Sequence, residues 1–101
     1  MTTTIETLDN ILLCTLEGEF NTAAAAEAEQ TLAPLRQTND KDLVIECAKL
    51  DYIASSGLRI LLSLLKHVKS SGHQITLRHV NDDIMDVFRL TGFDTLFNFE
   101  D

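Results

Sequence analysis

The stretch LDYIASSGLRILL, residues 50–62, decides the fold that the sequence predicts. Its second half begins an apolar repeat with spacings of three and four residues, made by Leu58, Leu61, Leu62, Leu65 and Val68. That spacing is typical of an amphipathic helix with one face on a core. The step Ser55-Ser56-Gly57 lies at the predicted N-terminus, where unpaired backbone N–H groups and the helix dipole favour an anion. The alternative is that one serine caps the helix and Gly57 permits close packing.

Upstream of this stretch, the sequence predicts a hairpin, a loop and a helix. Residues 5–8 and 11–16 have the composition of two short strands joined by a turn of Asx residues. Residues 17–22 are expected to form a loop. Residues 23–35 have helical spacing, and Pro34 is expected to kink or end that helix.

Two further strands and a last helix complete the predicted order. Residues 43–48, after a polar connector at 38–42, are a continuous apolar run typical of a central strand covered on both faces. Residues 73–80 alternate as a strand, and Asn81 caps a final helix that ends near Gly92. The apolar side chains after that helix are expected to return to the core: Phe93, Leu96, Phe97 and Phe99. Because strands and helices alternate, the sequence predicts an α/β sheet with crossover helices.

Length and composition limit the classes of function. A chain of 101 residues, 45% of them hydrophobic, predicts one folded domain over residues 1–101. Its net charge of −8 repels phosphate backbones, which argues against nucleic-acid binding. The longest apolar run, residues 60–65, is too short for membrane insertion, and no secretory signal is present, so we expect a cytoplasmic protein. Cys14 and Cys47 form no metal-like pair and are expected to be reduced core residues.

No catalytic or metal-binding motif accompanies the two serines. The nucleophile motif Gly-x-Ser-x-Gly is absent, and His67, His73 and His79 fall on different predicted elements without an organising acid. The sequence holds no metal-ligand cluster and no glycine-rich phosphate loop, so no cofactor is expected. Glu46 interrupts the central strand, where a solvated or hydrogen-bonded carboxylate is a simpler interpretation than a functional acid. These observations favour a binding protein over an enzyme.

The stretch at residues 50–62 is accompanied by GEFNTA at residues 18–23 and by LTGF at residues 90–93. Together and in this order, the three segments resemble the STAS domains of bacterial anti-sigma-factor antagonists. The resemblance implies a STAS-like mixed β-sheet of four to five strands packed against amphipathic helices, with no chemistry of its own.

The resemblance also implies a mechanism of regulation. In such switches an anti-sigma factor that is also a serine kinase phosphorylates the serine directly before the glycine, here Ser56, with Ser55 as the second candidate. The unphosphorylated antagonist binds the anti-sigma factor and frees the sigma factor, and a phosphatase of the PP2C type restores that form. A phosphate would block the partner surface by its charge and bulk. That surface is expected to comprise Asn21, Ala54, Ser55, Gly57, Leu58, Arg59, Ser63 and Lys66.

Two positions depart from the family pattern. Members often carry an acidic residue where this chain has Ala54 and another where it has Asn21. The missing carboxylates remove repulsion against a phosphate at Ser56, and they also remove contacts by which a kinase could select it. A second hypothesis is therefore a STAS accessory subunit of a transporter or signalling assembly that is not phosphorylated. An enzyme with a serine nucleophile is the third.

Overall fold

The computed structural model describes residues 1–37 and 40–101, which form five strands and three α-helices and confirm the α/β class. In chain order the elements are β1 Thr2–Leu8, β2 Ile11–Phe20, α1 Thr22–Thr31, β3 Asp42–Ile53, α2 Ser55–Ser70, β4 Ile75–Arg78, α3 Asp82–Thr91 and β5 Asn98–Glu100. Short 3₁₀ turns at Ala33–Arg36 and Phe93–Thr95 follow α1 and α3. Of the predicted polar connector at 38–42, residues 38 and 39 lie outside the described part.

The strands lie side by side in chain order, so β3 occupies the centre of a mixed sheet, as predicted. β1 pairs with β2 in an antiparallel hairpin, and the other three neighbouring pairs are parallel. Parallel neighbours need crossover connections, which α1, α2 and α3 supply. As a result, α1 and α2 both begin at the end of the sheet where β2 and β3 finish.

β2 is longer than predicted, because it continues through most of the stretch expected to form a loop. Residues 17–20 pair with β3, and Phe20 lies opposite Ile53. The register between β2 and β3 shifts next to Gly18. The φ angle of Gly18 is +101°, a backbone conformation that residues with a side chain rarely adopt, so glycine permits this irregular part of the strand. The loop expectation was wrong for these residues because a glycine inside a strand can mark a bulge as well as a turn.

One face of the sheet carries the hydrophobic core. Cys14, Ile45 and Leu77 are fully buried and lie opposite one another across β2, β3 and β4. Phe99 of β5 lies opposite Leu77, and its ring is 5.9 Å from that of Phe88 on α3. The buried side chains of α1, α2 and α3 all belong to the same core cluster. The three helices therefore cover this one face.

The other face of the sheet is open, so the expectation that β3 is covered on both faces was wrong. Val44 and Glu46 of β3 are only half-buried there, and Ala48 is exposed. The apolar run at 43–48 suggested two covered faces because Val44 and Ala48 are themselves apolar. An apolar residue does not require a helix above it, however, and much of any protein surface is apolar.

The helix ends are set by the residues that the sequence indicated. Pro34 lies in the 3₁₀ turn after α1, which confirms that the proline ends that helix. The Asn81 side chain caps α3 by accepting a hydrogen bond from the Ile84 N–H at 2.8 Å. Gly92 ends α3 in the left-handed region, with a φ of +79°, as predicted.

The core holds both cysteines and most of the C-terminal aromatic side chains. Cys14 and Cys47 are buried and free, as expected, and burial raises the pKa of both thiols to about 12. Phe93 and Phe97 pack with their rings 6.0 Å apart, but Leu96 between them remains 39% exposed. Its predicted return to the core was wrong, because the turn directs the two phenylalanines inward and leaves Leu96 outside. No helix of the described residues has the length and apolarity to cross a membrane.

Candidate functional site

Helix α2 begins without a side-chain cap. Its N-cap is Ala54, and the first helical hydrogen bond runs from the Leu58 N–H to the Ala54 carbonyl oxygen at 3.0 Å. The alternative that a serine caps this helix was wrong, because Ser55 and Ser56 already lie inside the first turn. Within residues 1–37 and 40–101, the N–H groups of residues 55–57 have no hydrogen-bond partner. They are therefore free to donate to an anion.

The start of α2 is held beside the start of α1. The Ala54 N–H donates to the Phe20 carbonyl oxygen at 2.9 Å, which joins the end of β3 to the end of β2. Asn21 follows Phe20 and caps α1, its side-chain oxygen accepting a hydrogen bond from the Ala24 N–H at 2.9 Å. Asn21 and Ala54, which the sequence predicted to share a surface, therefore lie close together.

Gly57 allows α2 to pack closely on the sheet. A Cβ atom at this position would lie 3.0 Å from the Phe20 ring and 3.0 Å from the Ile53 side chain. This supports the close-packing interpretation of the glycine. Gly57 and Leu58 are both buried, so neither offers a side chain to a partner. Their part in partner binding stays a prediction, and in this structure both residues pack beneath the surface.

The two serines differ in accessibility. Ser55 is exposed, whereas Ser56 is half-buried and its Oγ atom is buried without a hydrogen-bond partner among the described residues. Ser56 lines a shallow groove between α1 and α2 together with Thr22, Ala25 and Arg59. A buried hydroxyl left unpaired costs about 1–3 kcal/mol. Helical spacing within α2 could not reveal this burial, because it depends on where α1 lies.

Helix α2 carries three exposed basic side chains, Lys69 near its end and two on the predicted surface. Arg59 and Lys66 are exposed, and neither forms an ion pair in the described part of the chain. Ser63 was expected on the same exposed face, but it is half-buried, and its Oγ atom accepts a hydrogen bond from Arg36 Nε at 3.0 Å. Arg36 also pairs with Glu29 at 3.1 Å. Ser63 therefore connects α2 to the segment after α1, and it also lines an open groove together with Arg59, Leu62 and Lys66.

An exposed tyrosine near the start of α2 was missed in the sequence. Tyr52 is 49% exposed and lies opposite the exposed Glu19 in the register of β3 with β2. Alternation along the strand could not have found it, because Leu50 and Ile53 are both buried and the two residues between them are both exposed. Tyrosine is enriched in the buried centres of protein interfaces.

The structure holds the three histidines away from the serines. His73 is 3.1 Å from Asp42, the first residue of β3, whereas the serines follow the last residue of that strand. His79 bonds Glu46 in the first half of β3, and His67 lies in the last turn of α2. No group of three or more metal-ligating side chains occurs among residues 1–37 and 40–101.

Glu46 is a hydrogen-bonded structural acid, which confirms its simpler interpretation. Its carboxylate lies 2.9 Å from both Arg78 Nε and His79 Nδ1 and accepts a hydrogen bond from the Ala48 N–H at 3.0 Å. Burial opposes its ionisation, but the hydrogen bonds from His79, Arg78 and the Ala48 N–H together outweigh burial and lower the pKa of the carboxyl. Glu46 therefore connects β3 to the end of β4.

Residues 2–101 match the model of the STAS domain family. A protein from Bordetella bronchiseptica named "Putative anti-sigma factor antagonist BtrV" is 30% identical over 97 residues, which cover 96% of this chain and 84% of the relative. Among solved structures, an anti-sigma factor antagonist from Mycobacterium paratuberculosis is similar with a TM-score of 0.83 and 25% identity, covering 98% of this chain and 84% of that one. The phosphorylated form of the Bacillus cell fate determinant SpoIIAA shares the fold, with a TM-score of 0.74 and 14% identity over 97% of this chain and 90% of that one.

Proposed function

This chain belongs to the STAS domain family and, within it, to the anti-sigma factor antagonists, and from that premise we propose that it binds an anti-sigma factor. It is a regulatory protein rather than an enzyme. The partner would contact the docking surface, a name we give to exposed and half-buried residues at the start of α2 and along its outer side. They are Glu19, Asn21, Tyr52, Ala54, Ser55, Ser56, Arg59 and Lys66.

One observation above all supports this surface: an exposed aromatic ring lies just before the start of α2, and two unpaired basic side chains lie along the outer side of the same helix. Tyr52 is 49% exposed, and Arg59 and Lys66 are exposed without ion pairs in the described chain. In a chain of net charge −8, such a positive face is complementary to an acidic partner surface. Tyrosine and arginine are also the residue types that contribute most often to interface affinity.

We further propose that phosphorylation of Ser56 switches the binding off. SpoIIAA, which shares the fold, has been solved in a phosphorylated form, and this supports a switch by phosphorylation. In this chain Ser56 lies in the first turn of α2, where the free N–H groups of residues 55–57 can donate to phosphate oxygens. Ser55, which is more exposed, is the second candidate.

The size of the expected effects favours a block at the interface over a change of fold. A negative group at a helix N-terminus gains about 0.3–2 kcal/mol within its own domain. Reversing a population from 1:99 to 99:1 requires about 5.5 kcal/mol. The free-energy cost of desolvating a phosphate of charge roughly −2 against a partner surface can reach that larger value. We therefore expect phosphorylated and unphosphorylated forms to have the same fold.

Access to Ser56 requires a local rearrangement. Its Oγ atom is buried against the α1–α2 groove, whose wall also carries Glu29. A phosphate would be repelled by that carboxylate and attracted by Arg59, which lines the same groove, so the modified side chain would turn towards Arg59 one turn along the helix. In that position the phosphate would neutralise Arg59, one of the two basic groups of the docking surface.

The buried hydroxyl also supports the second hypothesis, an accessory subunit of a transporter or signalling assembly that is never phosphorylated. A serine that no kinase reaches would be retained for packing alone. In the first hypothesis the partners are an anti-sigma factor with serine kinase activity and a phosphatase of the PP2C type, acting in the cytoplasm where ATP and sigma factors are found.

The test combines the chain with the kinase-type anti-sigma factor encoded nearest to its gene. Complex formation is measured first without nucleotide, and Mg²⁺ and ATP are then added and the phosphate is located by mass spectrometry. We expect a complex, followed by one phosphate on Ser56 that is absent in Ser56→Ala and retained in Ser55→Ala. A tight complex with both serines unmodified would favour the accessory subunit instead.

A further inference from the structure

The two edges of the sheet are built differently. β5, at one edge, is three residues long and is followed by the acidic Asp101. β1, at the other edge, is seven residues long, TTTIETL, and contains no proline, glycine or lysine. Short length, proline and charge are the usual means by which an edge strand is kept from pairing with another chain. Of these, β1 has only the single charge of Glu6.

The outer backbone of β1 is free to pair. β1 is paired with β2 from Thr2 to Leu8, and no other part of the described chain, residues 1–37 and 40–101, bonds to its backbone. In an antiparallel pair, alternate residues direct both their N–H and C=O groups away from the partner strand. β1 therefore presents a row of unpaired donors and acceptors, in a sequence rich in β-branched residues.

We propose that β1 pairs antiparallel with β1 of a second copy of this chain, across a twofold axis. A register centred on Ile5 opposite its symmetry mate pairs all seven residues of the strand, with Thr4 opposite Glu6. This register keeps core-side residues opposite core-side residues, so the two sheets become continuous. In this register no two like charges lie opposite each other. A register centred on Glu6 would instead place the Glu6 carboxylates of the two copies opposite each other.

Charge and area together indicate a weak dimer. The net charge of −8 repels two copies at long range, but β1 contributes one of the 16 acidic residues and no basic one. At physiological salt the remaining charges are screened over about 8 Å. One pair of seven-residue strands buries less than the roughly 1,200–2,000 Å² of a stable interface. Dimerisation is therefore expected to depend on protein concentration.

The register makes opposite predictions for two substitutions of one exposed residue. Thr4→Lys brings a lysine opposite Glu6 of the second copy, twice by symmetry, whereas Thr4→Glu brings two carboxylates together at both places. Gln30→Lys and Gln30→Glu make the same changes in net charge at an exposed position of α1 and serve as controls. Circular dichroism checks that each variant is folded.

Sedimentation velocity on the full chain, from about 10 µM to about 1 mM, provides the measurement. We expect the unmodified chain to form dimers as its concentration rises, with a dissociation constant roughly threefold to tenfold lower in Thr4→Lys and higher by a similar factor in Thr4→Glu. Gln30 variants should match the unmodified chain. A chain that stays monomeric throughout overturns the proposal, and so does a dimer that responds equally to Thr4 and Gln30 variants, because its interface then lies elsewhere.

Discussion

The backbone N–H of Ala54 donates to the carbonyl oxygen of Phe20 at 2.9 Å. This single bond joins the ends of the two longest strands at the point where each gives way to a helix. It brings Asn21 and Ala54 close together and sets the distance at which α2 passes over the Phe20 ring. Most of the docking surface depends on this junction.

Gly57→Ala tests the junction directly. The added Cβ would lie 3.0 Å from the Phe20 ring and the Ile53 side chain, so one of them must move. We expect the free energy of unfolding to fall by about 1–3 kcal/mol, with a drop in Tm of about 4–8 °C for each kcal/mol. Thermal unfolding followed by circular dichroism measures the change. Ser55→Ala, an exposed residue in the same turn, is the control, and equal Tm values for the two variants would contradict the close packing.

Ser56→Ala removes a buried hydroxyl that has no partner in the described chain. We expect this change to stabilise the fold by about 1 kcal/mol, because the cost of the unpaired group disappears. Ser63→Ala should instead destabilise by about 1 kcal/mol, since it leaves the Nε atom of Arg36 without its acceptor. Urea unfolding gives both values, and Ser55→Ala corrects for the helix propensity of alanine. If Ser56→Ala proved as destabilising as Ser63→Ala, the Ser56 hydroxyl would have to be paired.

The substitution Glu46→Gln is expected to lower the free energy of unfolding by an amount that depends on pH. The folded-state pKa of Glu46 is lowered, because the hydrogen bonds from His79, Arg78 and the Ala48 N–H outweigh the opposing effect of burial. Its ionised form therefore stabilises the fold above the unfolded pKa of about 4.3. That contribution is lost as the pH falls through the lower folded value.

The expected difference in unfolding free energy between the unmodified chain and Glu46→Gln is about 1–3 kcal/mol at pH 7 and shrinks as the pH drops below about 4. Urea unfolding at a series of pH values measures it. Glu27→Gln, at an exposed position of α1, is the matched control and should show almost no difference. A Glu46→Gln deficit that stays constant down to the most acidic pH would argue against an ionic contribution.

Arg59→Glu is expected to weaken binding to the anti-sigma factor by at least about tenfold, because it reverses an accessible charge in the docking surface. Arg89→Glu reverses an exposed charge in the last turn of α3, outside the docking surface, and should leave the affinity within about threefold. Isothermal titration calorimetry compares the two. Equal losses would mean that only net charge matters and that the docking surface is misplaced.

Local patterns in the sequence predicted the elements that bury one continuous face. The apolar spacing after Gly57 identified α2, and Asn81 and Gly92 marked both ends of α3, because each depends on neighbours within one or two turns. The resemblance of residues 50–62 to the family then supplied the candidate serine and its role. The extension of β2 to Phe20 was missed, because it depends on pairing with β3.

Features of the site that depend on more than one element escaped the sequence. Whether Ser56 is buried depends on the groove that α1 makes with α2. Whether Ser63 is free depends on Arg36, which comes from a different part of the chain. The exposure of Tyr52 escaped as well, because β3 does not alternate between the buried residues Leu50 and Ile53.

The most direct measurement of the central claim is the affinity of the cognate anti-sigma factor for this chain with and without a phosphate on Ser56, prepared by incorporation of phosphoserine. We predict a stoichiometric complex with the unmodified chain and an affinity at least about a hundredfold lower for the phosphorylated chain, as a buried charge of roughly −2 would impose. Circular dichroism spectra of the two forms should coincide. Equal affinities for the two forms would contradict the switch, and the absence of a complex with the unmodified chain would contradict the docking surface itself.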